Sequence, residues 1–98
     1  MAYKLDYLPL ATNDILEAEA GLFEFSPSAA DKFYNEILAL EERLCNHPLM
    51  YPIYKHDDFY RTVNLPYNYI LFYRVEESIE YIEVHRVLHG MRNLEELL

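Results

Sequence analysis

The chain has a single cysteine, Cys45, so neither an internal disulfide nor a cysteine-based zinc site can staple it. It has two glycines, Gly21 and Gly90, too few and too far apart for a phosphate-cradling loop, which excludes the common nucleotide-binding folds. Long apolar runs are also missing. The longest aliphatic or aromatic stretch is five residues, Tyr69 to Tyr73, against the roughly 20 a membrane helix needs. The first ten residues show no basic region followed by an apolar one, so a secretory signal is not expected and the reading is cytoplasmic. Positive charge is scarce: eight Lys and Arg face 17 Asp and Glu, a net charge of −9. That sign opposes phosphate backbones and argues against nucleic-acid binding by bulk charge.

At 98 residues with 52% hydrophobic and 26% charged side chains, what is present suits one compact domain spanning 1–98. The charge is unevenly spread, with four of the five arginines (Arg61, Arg74, Arg86 and Arg92) in the second half. Tyr3, Leu5 and Tyr7 alternate with Lys4 and Asp6, the period of a half-buried strand ended by Pro9. Leu8, Ala11, Ile15, Ala18 and Leu22 then form one apolar stripe of a helix, with Asn13, Asp14, Glu17 and Glu24 placed off it. Ser26-Pro27 supplies an N-cap hydroxyl and a first-turn proline for a second helix. Its stripe is Ala30, Phe33, Ile37, Leu40 and Leu44, and Pro48 ends it.

After a loop at 46–58, three β runs follow, Phe59–Leu65, Tyr69–Val75 and Ile79–Leu88, joined by turns short enough to force antiparallel neighbours. Gly90 breaks the last run, and Asn93 with Glu96 resembles a capping box for a short terminal helix. The expected order is βααβββα: an α+β fold, an antiparallel sheet with a helical hairpin on one face and its other face free.

Each sheet arginine shares a period-two register with apolar residues: Arg61 with Phe59, Val63 and Leu65, Arg74 with Ile70 and Phe72, Arg86 with Ile82, Val84 and Leu88. Such a charge must lie at a rim, in a cleft, or beside a carboxylate, for which Glu76, Glu80 and Glu83 are at hand. If the three converge, they form a cationic site for phosphate or carboxylate. His85 and His89 fall on one face of a strand but roughly 13 Å apart, at about 3.3 Å per residue, too far to share a metal ion. Neither metal nor cofactor is expected. His89, at a strand end among arginines, has the chemistry of a general acid or base, or of an ordinary surface histidine. Exposed tyrosines among Tyr60, Tyr67, Tyr69, Tyr73 and Tyr81 could anchor a partner.

Four segments carry a resemblance over essentially the whole chain: Ser26-Pro-Ser-Ala-Ala30, Leu44-Cys-Asn-His-Pro48, Leu71-Phe-Tyr-Arg-Val75 and Arg86-Val-Leu-His-Gly-Met-Arg-Asn93. With the element order, they resemble the RelE/ParE superfamily of toxins from bacterial type II toxin–antitoxin systems, also known as plasmid stabilisation proteins. The resemblance implies a growth-inhibiting toxin neutralised by a cognate antitoxin that folds over it. RelE-like members cleave mRNA on the ribosome without metal, whereas ParE-like members poison DNA gyrase. In the nuclease reading His89 is the acid or base, Arg61, Arg74 and Arg86 stabilise the transition-state phosphate, and Arg92 orients it. In the gyrase reading Arg61, Arg74, Arg86, His89, Arg92 and Tyr73 serve target or antitoxin recognition.

Ribosome-directed members are typically basic, whereas this chain is acidic and has only Lys55 as a lysine in its second half. That departure and the His47-Pro48 exit lean towards the ParE-like mode, with the ribonuclease as the alternative. A homodimer or a toxin–antitoxin hetero-oligomer fits either. A different class is a non-toxic acidic interaction domain, whose arginines would each be paired with a glutamate. By charge complementarity, an antitoxin for this chain should carry a basic or apolar docking segment.

Overall fold

A computed structural model describes residues 2–92 and 94–98. β1 (Lys4–Tyr7) leads into α1 (Pro9–Phe25) and α2 (Pro27–Asn46), a long loop leads to β2 (Arg61–Leu65), β3 (Tyr69–Glu76) and β4 (Tyr81–His89), and α3 (Leu94–Leu97) follows. The expected βααβββα order is therefore observed. Both helices start at a proline: Pro27 opens α2 as the sequence indicates, and Pro9, read only as the end of the strand, opens α1. Ser26 stands at the N-cap of α2 with extended backbone, but its hydroxyl makes no cap bond and lies 2.9 Å from the Ser28 hydroxyl instead. The proposed Asn93–Glu96 capping box lies outside the described residues.

The sheet order is β1-β4-β3-β2. β2, β3 and β4 form the expected antiparallel meander, but β1 runs parallel to β4, so the sheet is mixed. The helical hairpin between β1 and the meander is the crossover that a parallel neighbour requires. Phe33, Ile37, Leu40 and Leu44 of α2 and Ala11 and Ala18 of α1 are buried against Val63, Leu71, Tyr73, Ile82, Val84 and Val87 of the sheet. Truncating Phe33, fully buried at the centre of this layer, should cost about 3–5 kcal/mol. The opposite face is not free, in contrast to the sequence expectation. Leu94, Leu97 and Leu98 pack there with Tyr60, Phe72 and Leu88.

Two local features set the geometry of the site. The pairing of β3 with β4 shifts between Phe72 and Tyr73, which face Arg86 and Val84, so His85 is the extra residue of a β-bulge. Beyond it the faces of β4 exchange: Ile82 and Val84 face the helices before the bulge, and Val87 does so after it. The turn at Pro66–Asn68 holds Tyr67 and Asn68 at φ of 64° and 62°. There the Asn68 carbonyl accepts the Gly90 N–H at 2.7 Å, and a side chain at Gly90 would come within 2.8 Å of the Asn68 amide oxygen.

Candidate functional site at the end of the last strand

β1 stops at Tyr7, and the last hydrogen bond on that edge is from the Leu8 N–H to the Val84 carbonyl. The remainder of β4 would be an unpaired edge with the Val87 N–H exposed to no strand. Asp14 takes the place of the missing strand: its carboxylate accepts that N–H at 3.0 Å and binds Arg86 bidentately, at 2.7 and 3.0 Å. With side-chain exposures of 8% for Asp14 and 15% for Arg86, a buried carboxylate holds a half-buried guanidinium. Arg86 also donates to the Leu97 carbonyl at 2.7 Å, tying α3 to the same point. The Asp14 hydrogen bond, opposed in part by burial, raises the Arg86 pKa.

Sequence reasoning set Asp14 off the α1 stripe, yet it is buried within it. The signal was its spacing: 11, 14 and 18 recur at three and four residues, and only chemistry separates Asp14 from its neighbours on that face.

Beside this pair opens a cleft of about 200 Å³ bordered by Glu17 of α1, Tyr69, His89 and Arg92. His89 packs edge-on to Tyr69, with ring centroids 5.1 Å apart, and its Nδ1 accepts the Met91 N–H at 3.2 Å. The neutral ring therefore carries its proton on Nε2. Of the residues singled out from the sequence, His89, Arg92 and Tyr69 line this cleft, and Arg86 meets it only through Asp14. Glu17 completes it, and no motif marked that residue.

The other residues go elsewhere. Arg61 extends to the loop, donating to the carbonyls of Tyr51 at 2.7 Å and Leu49 at 3.4 Å. Arg74 lies on the opposite face, as its register with Ile70 and Phe72 indicates, bound to Glu76 at 2.8 Å and Glu83 at 3.5 Å and 4.9 Å from the Phe59 ring centre. The three sheet arginines therefore do not converge. Arg86 no longer shares a face with Ile82 and Val84, because the bulge intervenes. Tyr73 is fully buried, its hydroxyl donating to the Pro48 carbonyl at 2.8 Å, so it holds the loop to the core rather than presenting a binding surface.

His85 and His89 also part company. The bulge turns His85 towards Phe59 and Tyr60, at 5.7 and 5.2 Å, with Glu83 at 3.4 Å. Among the described residues no group of three His, Cys, Asp or Glu could hold a metal ion. No described helix is long and apolar enough to cross a membrane.

The fold is thus a helical hairpin on a four-stranded mixed sheet, with a cleft lined by a histidine and an arginine where the last strand ends. The sequence matches, over residues 5–94, the family described as the ParE toxin of type II toxin–antitoxin systems, parDE, and the chain belongs to that family. No curated protein sequence matches it. Among solved structures, it is similar in fold to a chain in the crystal structure of the toxin–antitoxin complex RelBE2 from Mycobacterium tuberculosis. That similarity has a TM-score of 0.61 at 17% identity, covering 91% of this chain and 99% of the other. The protein is a type II toxin of the ParE/RelE kind.

Proposed function

We propose that the chain inhibits growth in the ParE-like manner, by binding DNA gyrase, and that a cognate antitoxin neutralises it. The observation that carries this reading is the dispersal of Arg61, Arg74 and Arg86 to three separate places, each held by carbonyls or carboxylates. A phosphoryl-transfer site needs cations converging where charge develops, and a net charge of −9 opposes ribosomal RNA. Recognition of a protein surface needs neither. The RelBE2 complex, a toxin with its antitoxin, supports the antitoxin partner.

The test is induced expression in a bacterial host, followed by incubation of purified chain with gyrase and with a translating ribosome extract. Growth arrest, inhibited supercoiling or trapped gyrase–DNA complexes, and intact mRNA are expected. One observation favours the ribonuclease instead: His89, Glu17 and Arg92 share one cleft. Cleavage of mRNA that disappears in His89→Ala/Arg92→Ala would establish that reading and remove ours. Arg86 is left out of the variant because its loss would strand the buried Asp14 carboxylate. A folded chain that neither arrests growth nor affects gyrase would point to the interaction domain.

A further inference from the structure

A second hollow, of about 300 Å³, lies beside Arg86 and shares no lining residue with the strand-end cleft. The ion pair spans the two: Asp14 borders the cleft and Arg86 the hollow. Its walls are apolar, made by Leu8, Pro9 and Leu10 where α1 begins and by Leu97 and Leu98 of the tail, and its polar groups are Tyr60, His85 and Arg86. No described Asp or Glu lines it, in a chain with 17 acids against eight basic residues. Tyr60 is only 9% exposed, and the rings of Phe59, Phe72 and His85 hold it edge-on at 4.9, 6.1 and 5.2 Å. Among the described residues no group hydrogen-bonds its hydroxyl, and no sealed-in polar atom is left unpaired, so that oxygen keeps its access through the hollow. Burial raises the Tyr60 pKa against the opposing pull of Arg86, so the phenol keeps its proton at neutral pH and can donate.

Two further sets of donors border the same space. Asp14 and the Leu97 carbonyl engage the Arg86 Nε and one N–H on each terminal nitrogen, which leaves the second N–H of each terminal nitrogen over. No side chain caps α1, so its first turn brings unclaimed N–H groups and the positive end of the helix dipole. We propose that this hollow binds a small monocarboxylate with an apolar body. Its carboxylate accepts from the Tyr60 hydroxyl, the outer N–H groups of Arg86 and the first turn of α1, and its body lies against Leu8, Leu10, Leu97 and Leu98. A fixed, buried donor without an acceptor is what a ligand's acceptor satisfies, and apolar walls with a few convergent polar groups are the usual make-up of a small-molecule site. A cation finds no carboxylate among the lining residues. A phosphate dianion would meet a single guanidinium already shared with Asp14 and leave the leucine walls uncovered.

The probes are octanoate and phenylacetate, one linear and one aromatic acid, titrated into the isotope-labelled full chain beside octylamine and inorganic phosphate. At least one of the acids should bind saturably and shift the amides of Leu8, Leu10, His85 and Arg86, whereas octylamine and phosphate should not. Tyr60→Phe keeps the ring and removes only the donor, and should weaken binding of the acid roughly tenfold. Leu10→Glu sets a carboxylate at the mouth, at a position 59% exposed, and should abolish it. Ile79→Glu, at another exposed position outside the hollow, should leave it unchanged. Should Tyr60→Phe fail to fold, the Leu10→Glu and Ile79→Glu pair gives the same test through charge.

Absence of saturable binding by both acids, or octylamine or phosphate binding as tightly as the acids, would overturn the proposal. So would shifts centred on Glu17, His89 and Arg92, which would place the acid in the strand-end cleft, or affinity unaltered in Tyr60→Phe or Leu10→Glu. Binding of the acid and growth arrest are separate readouts, so the failure of either reading leaves the other standing.

Discussion

Asp14 does the work of several groups at one point: a strand's acceptor for Val87, a counter-ion for Arg86 and, through Arg86, an anchor for the Leu97 carbonyl. Asp14→Asn should destabilise the fold by up to about 3 kcal/mol, read as a lower urea midpoint, because a half-buried guanidinium loses its counter-charge. Asp14→Leu/Arg86→Met should recover part of that loss, since removing both members spares the unpaired charge. The buried phenols give a pH dependence. Burial pushes Tyr73 up to about 12, and burial with the Glu41 hydrogen bond raises Tyr7 further. Their folded pKa values lie above the unfolded value of about 10, so their contribution is whole below that pH and is lost as pH rises through the folded values. Stability measured by urea titration should fall between about pH 10 and pH 12, and Tyr73→Phe should flatten that slope.

At the scale of elements, the two helices were legible because their apolar stripes, and for α2 the opening Pro27, are local signals. The direction of β1 was not, since a period of two is the same for a parallel or an antiparallel neighbour. The bulge at His85 was hidden for a similar reason: alternation counted along β4 assumes one residue opposite one. That single extra residue invalidated the shared face assigned to Arg86, Ile82 and Val84, while Arg74 stood apart from Arg61 already through its register with Ile70 and Phe72. His89 and Arg92, read together at the strand end, do line one cleft, whereas Asp14 was missed because an acid on an apolar stripe reads as an interruption. The close approach of Gly90 to Asn68 invites a double-mutant cycle. Gly90→Ala should cost about 1 kcal/mol, and less in an Asn68→Gly background, where the obstructing amide is gone and the positive φ at that turn suits glycine.

Across the whole molecule, acidity governs what the protein can approach. The purified chain should pass through immobilised heparin at about 50 mM salt without retention, where a toxin that grips RNA phosphates would be held. Retention that a Lys55→Ala or Arg92→Ala change abolishes would reinstate a nucleic-acid target.

β4 lies between β1 and β3 and is the last strand in the chain, and Asp6 receives the hydroxyl of Tyr81 from 75 positions away. During synthesis, the helical hairpin emerges while the centre of the sheet does not yet exist. Contacts so distant in sequence form late and slowly. The helical hairpin can therefore form as a surface before the strand-end cleft is able to assemble.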